Sequence, residues 1–268
     1  QRCQELFEIE PEDDDGSPEM PLLDGKIELL NVSFAHGDGK KVFDGLDLVI
    51  EPGESVAITG DNGTGKTTLL WMLMGALRPD QGEILLDGRE IGNYSSESIR
   101  RQIAYLPQHG VMFKGTIIEN ITGFRKDIGV ERVVEIARRL GLDDIVMRMP
   151  HGYDTEVGGQ ASETLPRGVK QRIAVARALI DYPRIVLFDE ANSSLDIAGD
   201  NIMTSLMLEL KKHCTLVMVS HRPSLIALAN KQYRLVDQRL VPVLKRTNQR
   251  VAKVGSKGTV SVKAGAPS

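Results

Sequence analysis

Residues 60–68 read GDNGTGKTT. The stretch fits the spacing G-x-x-x-x-G-K-[ST], with Gly60, Gly65, Lys66 and Thr67 on its fixed positions. The short apolar run ESVAITG leads into it and reads as a strand; the following KTTLLWMLMGAL has the spacing of a helix. A glycine-rich turn in that context has a physical consequence. Its glycines let the backbone curl until several N–H groups face one anion. The helix that follows points its positive end at the same place. Lys66 is expected to reach the outer phosphates of a nucleotide, and Asn62, Gly63, Thr64 and Thr68 are grouped with it as nucleotide contacts. Thr67 offers a hydroxyl to Mg²⁺, a cation that takes few protein ligands.

The run PRIVLFDE, residues 183–190, supplies the second half of such a site. Its apolar body reads as a buried parallel strand. Asp189 ends that strand and is expected to hold the magnesium through water. Glu190 follows where the chain turns, so it is placed to act on an attacking water. CTLVMVSH, residues 214–221, reads as another buried strand, and GVERVVEIARRLG as an amphipathic helix stopped by Gly141. KIELLNVSF and KVFDGLDLVI alternate like antiparallel strands. The expected architecture is α/β, a parallel-sheet core carrying an antiparallel β subdomain and an α-helical subdomain.

These two motifs together resemble a P-loop NTPase with a RecA-like core. Further stretches narrow the resemblance to the nucleotide-binding domain of ABC ATPases, over residues 25–243. IAYLPQ places Gln108 at the family's Q-loop glutamine; GVKQRIAVARAL resembles the signature helix; SSLD, ending in Asp196, resembles the D-loop; VSHR places His221 at the switch histidine. The resemblance implies ATP hydrolysis with Glu190, His221 and Lys66 as catalytic residues. It implies Mg²⁺ held by Thr67, Gln108 and Asp189, and Asp196 helping to join two such domains. MFKGTIIENI and GYDTEVGG look like segments particular to exporters. The expected function is therefore the ATP-driven motor of an ABC exporter, attached to transmembrane helices at the cytoplasmic face of the cell membrane. It would dimerise head-to-tail around ATP with a second nucleotide-binding domain. Two alternatives stand beside it: an ATP-gated dimerisation module with little turnover, and a soluble non-transport ABC ATPase.

The sequence departs from the family pattern in two places. The aromatic residue expected against adenine, usually Tyr, is replaced by His36 in NVSFAHGDG. Its smaller ring offers less stacking area. The signature, L-S-G-G-Q in the family, here reads Leu165, Pro166, Arg167, Gly168 and Val169. Pro166 carries neither hydroxyl nor N–H, so the helix is expected to survive while its contact to a partner's phosphate weakens. Everything this chain uses on its own phosphate is retained, and only what it lends to a partner is altered. That selectivity implies a non-identical second subunit. The rival expectation is that Arg167 replaces the lost contact as an arginine finger.

Bulk properties agree. The 268 residues are 41% apolar and 26% charged, with a net charge of −4 and pI ≈ 5.8. This gives no basic signature of nucleic-acid binding. Cys3 and Cys214 lie far apart and form no metal-type spacing, and are expected as reduced thiols. No run approaches the ~18 consecutive apolar residues of a membrane span. The chain begins at Gln1, as expected of a piece of a longer protein. Residues 1–24 are expected to be an acidic linker from an absent membrane domain, with QRCQELFEI as a helix end; 244–268 are expected as a basic, disordered tail.

Overall fold

A computed structural model describes residues 16–37, 39–107, 110–159, 165–189 and 197–243. The helix end expected before residue 16 and the expected tail lie outside them, as do Gln108, Glu190 and Asp196.

The described strands are β1 (Ile27–Ala35), β2 (Lys41–Ile50), β3 (Ser55–Thr59), β4 (Gln81–Leu86), β5 (Arg89–Glu90), β6 (Ile103–Leu106), β7 (Gly115–Thr116), β8 (Glu156–Val157), β9 (Ile185–Asp189), β10 (Thr215–Val219), β11 (Lys231–Val236) and β12 (Arg239–Pro242). The α-helices are α1 (Lys66–Leu73), α2 (Ser96–Arg100), α3 (Ile117–Thr122), α4 (Val130–Arg139), α5 (Asp143–Val146), α6 (Arg167–Leu179), α7 (Ile197–Leu210) and α8 (Pro223–Ile226).

The main sheet has the order β12-β11-β3-β10-β9-β6. Its neighbours pair in parallel from β11 to β6, and β12 adds an antiparallel edge. Every residue of β9 and of β10 is buried, which explains why both read as unbroken apolar runs rather than alternating ones. Their side chains still alternate between two cores. Val186, Phe188, Leu216 and Met218 pack with α4, α6 and α7. Ile185, Leu187, Val217 and Val219 pack with α1 and with a separate antiparallel sheet, ordered β2-β1-β4-β5. The parallel core, the antiparallel layer and the helical layer are those the sequence leads one to expect.

The two exporter-like stretches, far apart in sequence, meet as the ribbon β7–β8, with Gly115 opposite Val157 and Thr116 opposite Glu156. Thr116 then opens α3 through a capping box with Glu119. Arg177 of α6 grips the same segment. It donates from Nε to the Asn120 carbonyl (2.6 Å), from Nη2 to Asn120 Oδ1 (2.9 Å) and from Nη1 to the Val111 carbonyl (3.1 Å), and its guanidinium lies over the Phe113 ring.

The segment expected as a linker touches the core near its end. Met20 and Leu23 are buried in the core beside α1 and the antiparallel sheet. The Gln102 amide straps the chain there, donating to the carbonyls of Met20 and Pro21 and accepting from the Leu23 amide at 2.7 Å. Ser98 Oγ accepts from the Met20 amide. The short run at residues 20–23 is too brief to show a period, and its exposed Leu22 looks the same in sequence as its buried Leu23.

Phe188 is fully buried against the helical layer. Phe188→Ala is expected to destabilise the domain by about 3–5 kcal/mol, read from the midpoint of denaturant unfolding with an unchanged slope.

Candidate functional site

In an open parallel sheet, ligands gather beyond the carboxyl ends of the strands. Here β3 runs into the GDNGTGKTT loop, β9 ends at Asp189, and β10 leads through buried Ser220 to exposed His221. The registers put Val219 of β10 beside both Ile58 of β3 and Asp189 of β9. Three segments of different sequence origin therefore open at one edge. β6, on the far side of β9, leads toward Gln108.

The loop is shaped by glycines that have no room for a side chain. Gly65 has φ +100, and a Cβ there would stand 2.4 Å from Val42 Cγ1 and 3.0 Å from the Phe43 ring. Gly60 has φ +154, and a Cβ would stand 2.7 Å from the Leu235 carbonyl oxygen. Glycine lets β2 and β11 close on the loop from two sides. Thr64 Oγ1 donates to the Asp61 carbonyl at 3.0 Å, drawing the turn together. Asn62 and Gly63 stand exposed at its tip. The buried ammonium of Lys66 lies across the loop, donating to the carbonyls of Gly60 and Asp61, each at 2.8 Å. Thr68 turns inward and is buried.

Thr67 and Asp189 are brought together. Thr67 Oγ1 donates to Asp189 Oδ2 at 2.9 Å. The pair presents hard oxygen donors only, and among the described residues no cluster of three or more His, Cys, Asp or Glu side chains could hold a metal on its own. That donor set fits Mg²⁺, which binds through one or two protein oxygens and completes its shell from phosphates and water.

The sequence reading missed a third member of this pair. Tyr105 of β6 donates its hydroxyl to the same Oδ2 at 3.0 Å. Burial, and then the negative charge of Asp189, push the phenol well above its ordinary value; a hydrogen bond from Trp71 of α1 pulls the other way. The available signal was positional: Tyr105 stands three residues before Gln108 on a strand expected beside that of Asp189. Its partner, though, is set by sheet order.

His36 follows β1, exposed, with its ring edge-on to Phe34 at 5.3 Å. Phe34 also lies against Phe43, which borders Gly65. A short aromatic row thus runs from the loop to His36.

The helix expected after Leu165 forms as α6, with Pro166 as its N-cap and Arg167 as its first residue. The Pro166 carbonyl accepts from the amides of Val169 (3.0 Å) and Lys170 (3.2 Å). Leu165 packs inward and Val169 is buried, whereas Pro166 and Arg167 are exposed; Gly168 is half-buried. Of the altered residues, Pro166 and Arg167 therefore face outward while Val169 joins the core, and the helix is left intact.

A sequence model of the family described as ABC transporter matches residues 43–193. The mitochondrial iron-sulfur clusters transporter ABCB7 of Oryzias latipes is 41% identical over 209 residues, covering 78% of this chain and 28% of that protein. The alpha-hemolysin translocation ATP-binding protein HlyB of Escherichia coli O157:H7 is 37% identical over 213 residues, covering 79% of this chain and 30% of that protein. A solved structure of a bacterial Atm1-family ABC exporter with ATP bound superposes with a TM-score of 0.80 at 33% identity, covering 89% of this chain and 43% of that one. The chain spans less than a third of these two relatives' length. The phosphate loop, the acid-ended strand beside it and these likenesses agree: the chain belongs to the ABC transporter family and carries its ATP-binding domain.

Proposed function

We propose that this chain is the ATP-hydrolysing motor of an ABC exporter, working at the cytoplasmic face of a membrane on transmembrane helices outside the given sequence. The observation that carries the reading is the contact between Thr67 and Asp189 at the mouth of the loop that Lys66 spans. Lys66 and the loop amides would bind the phosphates of ATP, with His36 against the base. Thr67, Asp189 and Gln108 would hold Mg²⁺, which when bound would neutralise charge on the terminal phosphates. Glu190 would accept a proton from the attacking water, and His221 would hold that water and the γ-phosphate in line. The ribbon of exporter-like segments gripped by Arg177 supports export over a soluble role.

The partner in this reading is a second, non-identical nucleotide-binding domain, with Asp196 at the join. Support comes from where the alteration falls. Pro166 and Arg167 are exposed at the start of α6, an element separate from those that carry Lys66, Thr67 and Asp189. An intact signature from the partner would complete the ATP site of this chain. Pro166, Arg167 and Gly168 would face the partner's, with Leu165 and Val169 turned inward beneath them.

Two measurements test this. A transporter assembled from this chain alone is expected to show little ATPase activity. Co-assembly with a subunit bearing an intact L-S-G-G-Q should restore turnover, and Glu190→Gln in this chain should remove it. Robust cooperative hydrolysis by this chain alone, lost on Glu190→Gln, would overturn the need for a second subunit. In the mixed assembly Arg167→Ala is expected to leave turnover nearly unchanged; a loss on the order of 10³-fold would instead make Arg167 an arginine finger.

A further inference from the structure

Asp189 receives two hydrogen bonds on one oxygen, and they differ in kind. Thr67 is part of the phosphate loop, and its hydroxyl can keep donating to Asp189 while its own oxygen turns to a cation. Tyr105 belongs to neither the loop nor the acid-ended strand. It stands on β6, paired with Leu187 of β9, and its long side chain reaches two residues further to Asp189. The phenol thus ties β6 to the end of β9, beside the loop that carries Thr67.

We propose that Tyr105 is a positioning residue for the magnesium site. Its hydroxyl fixes the rotation of the Asp189 carboxylate. The proposal rests on the reading of Asp189 as a magnesium ligand. Its physical basis is general. A carboxylate that serves a cation loses affinity when it must first be immobilised, and hydrogen-bonded outer partners bear that ordering cost in advance. The phenol suits the task. A tyrosine hydroxyl keeps its proton throughout the neutral range, so it can go on donating to Asp189 there. Phenylalanine at this position would keep the ring packing and remove only the donor.

The experiment measures Mn²⁺ binding by electron paramagnetic resonance, using the full chain with a non-hydrolysable ATP analogue. Tyr105→Phe is expected to weaken Mn²⁺ binding by about tenfold or more. Its affinity for the analogue in EDTA and its circular dichroism should match the parent. A purely structural role would instead lower the melting temperature and weaken metal-free nucleotide binding as well. Tyr105→Leu, which also removes the donor, carries the test if Tyr105→Phe does not fold. Asp189→Asn separates the two readings. If it leaves Mn²⁺ affinity intact, the metal-site reading itself fails. If it weakens binding while Tyr105→Phe binds like the parent, only the role of Tyr105 is overturned.

Discussion

The hydrogen bond between Thr67 and Asp189 joins residues 122 apart in sequence, and much of the molecule serves to make it possible. Thr67 is placed by a loop whose last turn, at Gly65, needs glycine because β2 leaves no space for a Cβ. Asp189 is placed by β9, a strand buried on every residue and held between β10 and β6. A carboxylate at the end of so apolar a strand is costly to bury unless it is hydrogen-bonded, and it is. The apolar layers on both sides of the sheet give β9 the rigidity that a metal-binding carboxylate needs.

What was legible in the sequence was what is local. The loop spacing between a strand and a helix, the unbroken apolar run before Asp189 and the helix after Leu165 each carry their own signal within a dozen residues. The antiparallel layer was also readable, because its strands alternate. The contacts that complete the site were not. Tyr105 meets Asp189 only because β6 is the neighbour of β9, and Arg177 meets Asn120 only because α6 lies against α3. Sheet order and helix packing are properties of the whole chain, and no window displays them. The docking of Met20 and Leu23 was hidden for the same reason: it depends on Gln102 and Ser98, many residues later.

The signature region separates fold from contact. Proline at an N-cap supplies a carbonyl and needs no amide, so α6 forms with Pro166 at its head. Arginine at the first helical position is exposed and sterically free of the core. Neither change disturbs the burial of Val169, Ile173 or Ala176 beneath them. The helix is therefore conserved in shape while the surface it offers is rewritten, and folding places no constraint on what that surface touches.

The same helix is fastened to the strand end that precedes Gln108. Gln171, fully buried, donates to the Pro107 carbonyl at 2.9 Å, and a Cβ on Gly110 would stand 2.5 Å from the Lys170 carbonyl oxygen. Arg177, further along α6, grips residues 111–120. Segments on either side of residues 108 and 109 are thus riveted to successive turns of one rod. Pro166 and Arg167 stand at the tip of that same rod, so one helix joins the strand end before residue 108 to the outer surface.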